Sequence, residues 1–107
     1  MERFNSARQR LQAADSRLQV SEALAILIAS LLPSELGMLP ANARECLTAD
    51  PERIPDCAFE LTRTELTFRG PDEETTFLRE LAHVFVLATN RLAAFDARDR
   101  VHNYKAP

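Results

Sequence analysis

Glu80 and His83 stand three residues apart in "RELAHVF", a spacing that puts a carboxylate and an imidazole on one face of a helix. Two Glu-x-x-His motifs with two further glutamates build a di-iron centre in a four-helix bundle. The nearest second copy here is Asp99 and His102, a loose version inside a polar C-terminal stretch, so no metal is assigned. Cys46 and Cys57 lack Cys-x-x-Cys spacing and have no neighbouring His pair, which argues against zinc. Either thiol, if folded against His83, would make a nucleophile and its base. The commoner role for such cysteines is that of small buried side chains. A phosphate loop or a nucleophile elbow needs glycines at fixed spacing, and the chain has 2 in all. The sequence is therefore read as non-enzymatic, with no catalytic residue, no cofactor and no metal.

Arg3, Arg10 and Arg17 recur every seven residues, with Arg8 close by. This pattern fits a solvated helix edge, the flank of a coiled coil, or a basic stripe that tracks phosphates. With Phe4, Leu11 and Leu18 at heptad position a, the three arginines fall at g and Arg8, Asp15 and Glu22 at e. A parallel pair would then match Arg10 with Asp15 and Arg17 with Glu22, while Arg3 would oppose Arg8. Such exposed pairs select geometry more than they stabilise. The net charge of −3 argues against direct nucleic-acid binding, which relies on a basic surface.

The elements carrying these residues are read as helices. Few glycines and many Ala, Leu, Arg and Glu favour helix over a turn-rich β fold. The spacing predicts a first helix from Glu2 to Leu32, ended by Pro33. One apolar seam follows Phe4, Ala7, Leu11, Ala14, Leu18, Ser21, Ala25, Ile28 and Leu32. A second stripe, Val20, Leu24, Leu27 and Leu31, lies well around the wheel from it. The later half, "ALAILIASLLP", is thus apolar on two sides. Either the bundle buries both, or one meets a partner or a twin subunit.

A connector with Pro33, Gly37 and Pro40 follows, then a short helix over Pro40 to Leu47. Residues 55–69 fit a helix aligning Ile54, Cys57, Ala58, Leu61 and Phe68, with Glu65 in conflict on that face. The Thr and Phe content of "FELTRTELTF" leaves a strand as the alternative. A last helix runs from Pro71 to about Ala97, with Phe77, Leu81, Phe85, Ala88, Leu92 and Phe95 as its core stripe and Val86 and Leu87 off it. The fold class is mainly α: one small helical bundle over residues 1–97 with long first and last helices, followed by a polar tail over 98–107.

At 107 residues one domain is expected. Its longest uncharged run is about half of the roughly 20 residues a membrane span needs. "MERFNSARQRLQ" has no apolar run directly after its charges, so it is not read as a secretory signal. Two cysteines without such a signal suggest reduced thiols and a cytoplasmic location. Candidate residues for a partner or dimer interface are Phe4, Leu11, Leu18, Val20, Leu24, Leu27, Leu31, Val86 and Leu87. The flanking charges are Arg3, Arg10, Arg17, Asp15 and Glu22.

The long first helix "RFNSARQRLQAADSRLQVSEALAILIASLL" and long last helix "DEETTFLRELAHVFVLATNRLAAF", in an Arg-rich chain of this size, resemble the QslA-type antiactivators of quorum sensing. The resemblance implies a small helical homodimer that binds a LuxR-type transcription activator and stops it from dimerising or gripping DNA. It carries no residue roles across. A DNA-binding regulator using the Arg-rich first helix is the second reading, and a small enzyme or metalloprotein centred on His83 the third.

Overall fold

The computed structural model describes the backbone of residues 2–104 and the side chains of residues 2–98. Its described residues form six helices and no strand: α1 (Glu2–Ala13), α2 (Arg17–Ala29), α3 (Pro33–Leu36), α4 (Ala41–Cys46), α5 (Ile54–Thr67) and α6 (Asp72–Tyr104). The mainly α fold is as read from the sequence, and the segment 55–69, read there as a helix with a strand as the alternative, is helical as far as Thr67.

The single first helix is corrected to a hairpin. The chain leaves helix at Ala14, and Ser16 is extended at φ −150° and ψ 162°. Its Oγ accepts from the Gln19 N–H at 3.2 Å, and Gln19 Oε1 accepts from the Asp15 N–H at 2.6 Å. Ser-x-x-Gln is a capping-box pattern, here reaching one residue further back. The physical reason for the turn is tertiary. In a continuous helix the Phe4–Leu11 seam and the Val20–Leu24 stripe would face opposite ways. Folding α2 back on α1 lets both enter one core, where Phe4, Ala7, Leu11, Ala14, Val20, Leu24, Leu27 and Leu31 are all buried. The break also ends the heptad register, so the Arg10–Asp15 and Arg17–Glu22 pairing across a parallel coil has no helix to run on.

α6 is the common wall of the bundle, packed against the α1–α2 hairpin and against α5. The predicted stripe Phe77, Leu81, Phe85, Ala88, Leu92 and Phe95 is buried, and Leu78, Ala82 and Val84 widen it. That breadth lets one helix serve several neighbours. Phe4 meets Phe77 edge-on at 5.9 Å between ring centroids. α6 runs past the predicted end at Ala97, so the helix continues through residues 98–104 of the expected tail. Arg98 lies over the Phe95 ring at 5.2 Å. Residues 105–107 and the Asp99 and His102 side chains lie outside the described residues. At 1.5 Å per residue α6 is about 50 Å long, comparable to the 56 Å longest extent of the molecule.

α5 accommodates its threonines by back-bonding: Thr62, Thr64 and Thr67 donate to the carbonyls of Ala58, Glu60 and Arg63. Glu65, the apparent conflict on its face, is only partly buried and pairs with Arg79 at 3.3 Å. Asn42 ties α4 to α5, donating to Glu60 Oε1 at 2.7 Å and Thr64 Oγ1 at 2.8 Å. At the α5–α6 turn a Cβ on Gly70 would lie 2.6 Å from Phe68 ring carbons, so a larger residue there would have to push the Phe68 ring aside. α3 is a helical turn within the expected connector, with Pro33 in its first turn.

Arg91 holds the hairpin turn to α6. Its Nη2 donates to the buried Ala14 carbonyl at 2.5 Å, one of the carbonyls left without a partner where α1 ends. The guanidinium also lies over the Phe95 ring at 4.9 Å. Arg91→Ala is expected to lower the unfolding free energy by about 2 kcal/mol, the scale of a lost hydrogen bond to a charged group. Chemical denaturation checks this, and an unchanged midpoint would contradict it.

Candidate interaction surface

The two apolar sides of α2 have different fates. Val20, Leu24 and Leu27 point into the core, with Ala23 beside them and Leu31 just beyond the helix. On the opposite side Leu18, Glu22, Ala25, Ile26 and Ala29 are exposed, Leu18 at 66%. Leu32, in the extended link after α2, continues this exposure. Glu22 is the one charge along this strip, and the alanines make it low-relief. Beside it, Arg10, Ala13, Gln19, Glu22, Ala23 and Ile26 line an open groove of about 300 Å³ between α1 and α2.

This sorts the interface candidates. Phe4, Leu11, Val20, Leu24, Leu27 and Leu31 are corrected from surface candidates to members of the chain's own core. The reason is the hairpin, which turns both stripes of the first segment onto α6. Leu18 is exposed, Val86 is 36% exposed and Leu87 is partly buried against the core. Val86 lines a second groove of about 400 Å³ between α5 and α6, with Thr62, Glu65, Arg79, Glu80, Ala82 and His83. Phe59 and Leu66, exposed on the outer side of α5, were missed. Their seven-residue spacing puts them on one helix face, a signal legible only once the segment is known to be helical.

Of the flanking charges, Arg3 and Arg17 are engaged within the chain. Arg3 pairs with Glu35 and donates to the Ser30 carbonyl at 3.2 Å. Its guanidinium lies 5.4 Å from the Phe4 ring centre and 6.0 Å from that of Phe77. Arg17 pairs with Asp96 at 2.9 Å and Glu52 at 3.0 Å. Asp15 is exposed in the turn, and Arg10 and Glu22 are exposed along the α1–α2 groove.

The Arg3–Glu35 pair joins the start of α1 to the segment after α2. The Arg3 hydrogen bonds, aided by the Leu32 N–H, hold the Glu35 carboxyl below its ordinary value of 4.5. A carboxylate with a lowered folded pKa stabilises fully above its unfolded value, and that contribution is lost as pH falls through the folded one. Stability is therefore expected to fall off below pH 4.5 more steeply in the wild type than in Arg3→Met. Urea unfolding across that window measures it, and parallel pH profiles would contradict it.

Glu80 and His83 do come together, around an arginine. Arg8 Nη1 lies 2.7 Å from Glu80 Oε2 and 3.4 Å from His83 Nδ1, and Nη2 reaches Asn5. A fixed cation thus stands beside the two groups a metal would need. Among the described residues no three His, Cys, Asp or Glu side chains cluster as metal ligands. The cysteines meet each other, with Sγ atoms 3.0 Å apart, and neither lines the groove that holds His83. Burial pushes both thiols above the usual range. Among the described residues no helix is long and apolar enough to cross a membrane. Compared with known proteins, the chain matches no family model, no curated protein and no solved structure.

Proposed function

We propose that this chain is a non-enzymatic, cytoplasmic interaction protein that pairs with a second copy of itself along the outward strip of α2. The same strip would occupy the dimerisation surface of a transcription activator and so inhibit it. The observation that carries the proposal is the strip: Leu18, Ala25, Ile26 and Ala29 exposed along one side of a rigid helix, with Glu22 the one charge among them. Burying such a face against a partner removes apolar area from water at roughly 25 cal/mol per Å². The alanines leave room for a second helix to approach, since interaxial distance depends on the side chains at the contact. Arg10 and Glu22 at the rim would set register and association rate more than affinity.

The likeness to QslA-type antiactivators supports a LuxR-type activator as the target. An activator that must dimerise to grip DNA is silenced when its own pairing surface is covered. A DNA-binding role gains less support, because Arg3, Arg8 and Arg17 already pair with carboxylates. Co-expression with a LuxR-type activator tests the proposal: the two are expected to co-purify, with the activator no longer retained on its DNA. An activator that stays dimeric and DNA-bound beside excess of this chain would contradict it.

A further inference from the structure

Cys46 ends α4 and Cys57 lies in the first turn of α5. Their Sγ atoms are 3.0 Å apart, each held by a helix. A disulfide needs about 2.05 Å, so the sulfurs have to approach by about 1 Å, a change within side-chain torsions. Cys46 is half-buried and also reaches the Ala43 carbonyl at 3.1 Å, while Cys57 is buried. Between them, residues 47–53 form a loop tied by its own hydrogen bonds. The Asp50 N–H donates to Thr48 Oγ1 at 3.1 Å and the Glu52 N–H to Asp50 Oδ1 at 3.0 Å. The loop docks on α2: Ser21 Oγ donates to the Ala49 carbonyl at 2.6 Å, and Glu52 pairs with Arg17 at 3.0 Å.

We propose that Cys46 and Cys57 are a redox pair that closes into a reversible intramolecular disulfide when a small-molecule disulfide of the glutathione class is the oxidant. Cys46, the accessible thiol, loses its proton and attacks one sulfur of the oxidant. That S–S bond breaks, and the departing thiolate takes up a proton. Cys57 then loses its proton and attacks the Cys46 sulfur of the mixed disulfide. The second small thiol leaves protonated, and the Cys46–Cys57 bond forms. Two protein thiols and one small disulfide give one protein disulfide and two small thiols. The crosslink fixes the 47–53 loop in the form that docks on α2. Burial keeps both thiols protonated at neutral pH, so closure is slow without excess oxidant.

The test uses the full chain, reduced and then treated with either oxidised glutathione or dithiothreitol. Oxidation is expected to remove both alkylatable thiols, make each chain lighter by two hydrogens with no covalent bond between chains, and link the two cysteine peptides. Tm should rise by on the order of 10 °C, because the crosslink restricts the unfolded chain. Dithiothreitol should reverse every change. Cys46→Ser, at the half-buried position, is expected to keep its helical spectrum and show no Tm rise with oxidant. Two free thiols after treatment, a mixed disulfide that persists on Cys46, or disulfide-linked chains would each overturn the proposal.

Discussion

Leu24→Ala is expected to lower the unfolding free energy by about 3 kcal/mol, with Tm falling by on the order of 10–20 °C. Leu18→Ala, six residues earlier on the same helix, should change stability by less than about 0.5 kcal/mol when both variants are unfolded at concentrations that keep the chain monomeric. Both replace a leucine in a segment that is apolar on two sides, so composition gives no reason for the difference. The hairpin does. Leu24 is 0% exposed and packed in the single core with Val20, Leu27 and the α6 stripe, whereas Leu18 is 66% exposed on the opposite side. Removing Leu24 loses its transfer free energy and leaves a cavity that helices fixed on both sides close only in part. A chain of this size has about 5–15 kcal/mol of stability in all, so the loss is a large share of it. Equal effects of the two substitutions in denaturant unfolding would mean that the sides of α2 are not sorted as described.

Much of this arrangement was legible from spacing. Phe77, Leu81, Phe85, Ala88, Leu92 and Phe95 recur at helical intervals and are buried. Ile54, Cys57, Ala58 and Leu61 likewise mark the inner side of α5. The break at Ser16 was masked because a heptad pattern runs through it from Phe4 to Leu32. The local capping signal, Ser16-x-x-Gln19, competes with that pattern, and packing against α6 decides between them. Sequence alone gave no means to tell which side of α2 faces out, since both are apolar. Contacts joining distant segments had no local signature either. Arg91 on the Ala14 carbonyl and Arg3 on Glu35 each span the fold. The cysteine pair becomes visible only once α4 and α5 are folded against each other. The helical extension beyond Ala97 is not announced by the core stripe, whose next positions after Phe95 are Asp99 and His102.

Ala25→Arg is expected to weaken self-association by at least about 100-fold, because an unpaired charge forced into an apolar contact costs several kcal/mol and each 1.4 kcal/mol is a factor of ten. Ala25 is exposed midway along the outward strip of α2, between Leu18 and Leu32. In a two-fold interface the substitution enters twice, which compounds the cost. The fold of each chain should be untouched, since arginine is nearly as good a helix former as alanine and the site faces away from the core. A far-UV spectrum identical to wild type would show that the loss is one of binding. Charge added on the side of Leu24 would instead unfold the chain. The two sides of one short helix thus separate stability from association.

Sedimentation equilibrium of the wild-type chain and of Ala25→Arg, over the same concentration range, tests the central claim most directly. A wild-type dimer that becomes a well-folded monomer on substitution is the predicted result. A wild-type chain that stays monomeric throughout, or a variant that remains as dimeric as the wild type, would contradict the assignment of α2's outward face as the binding surface.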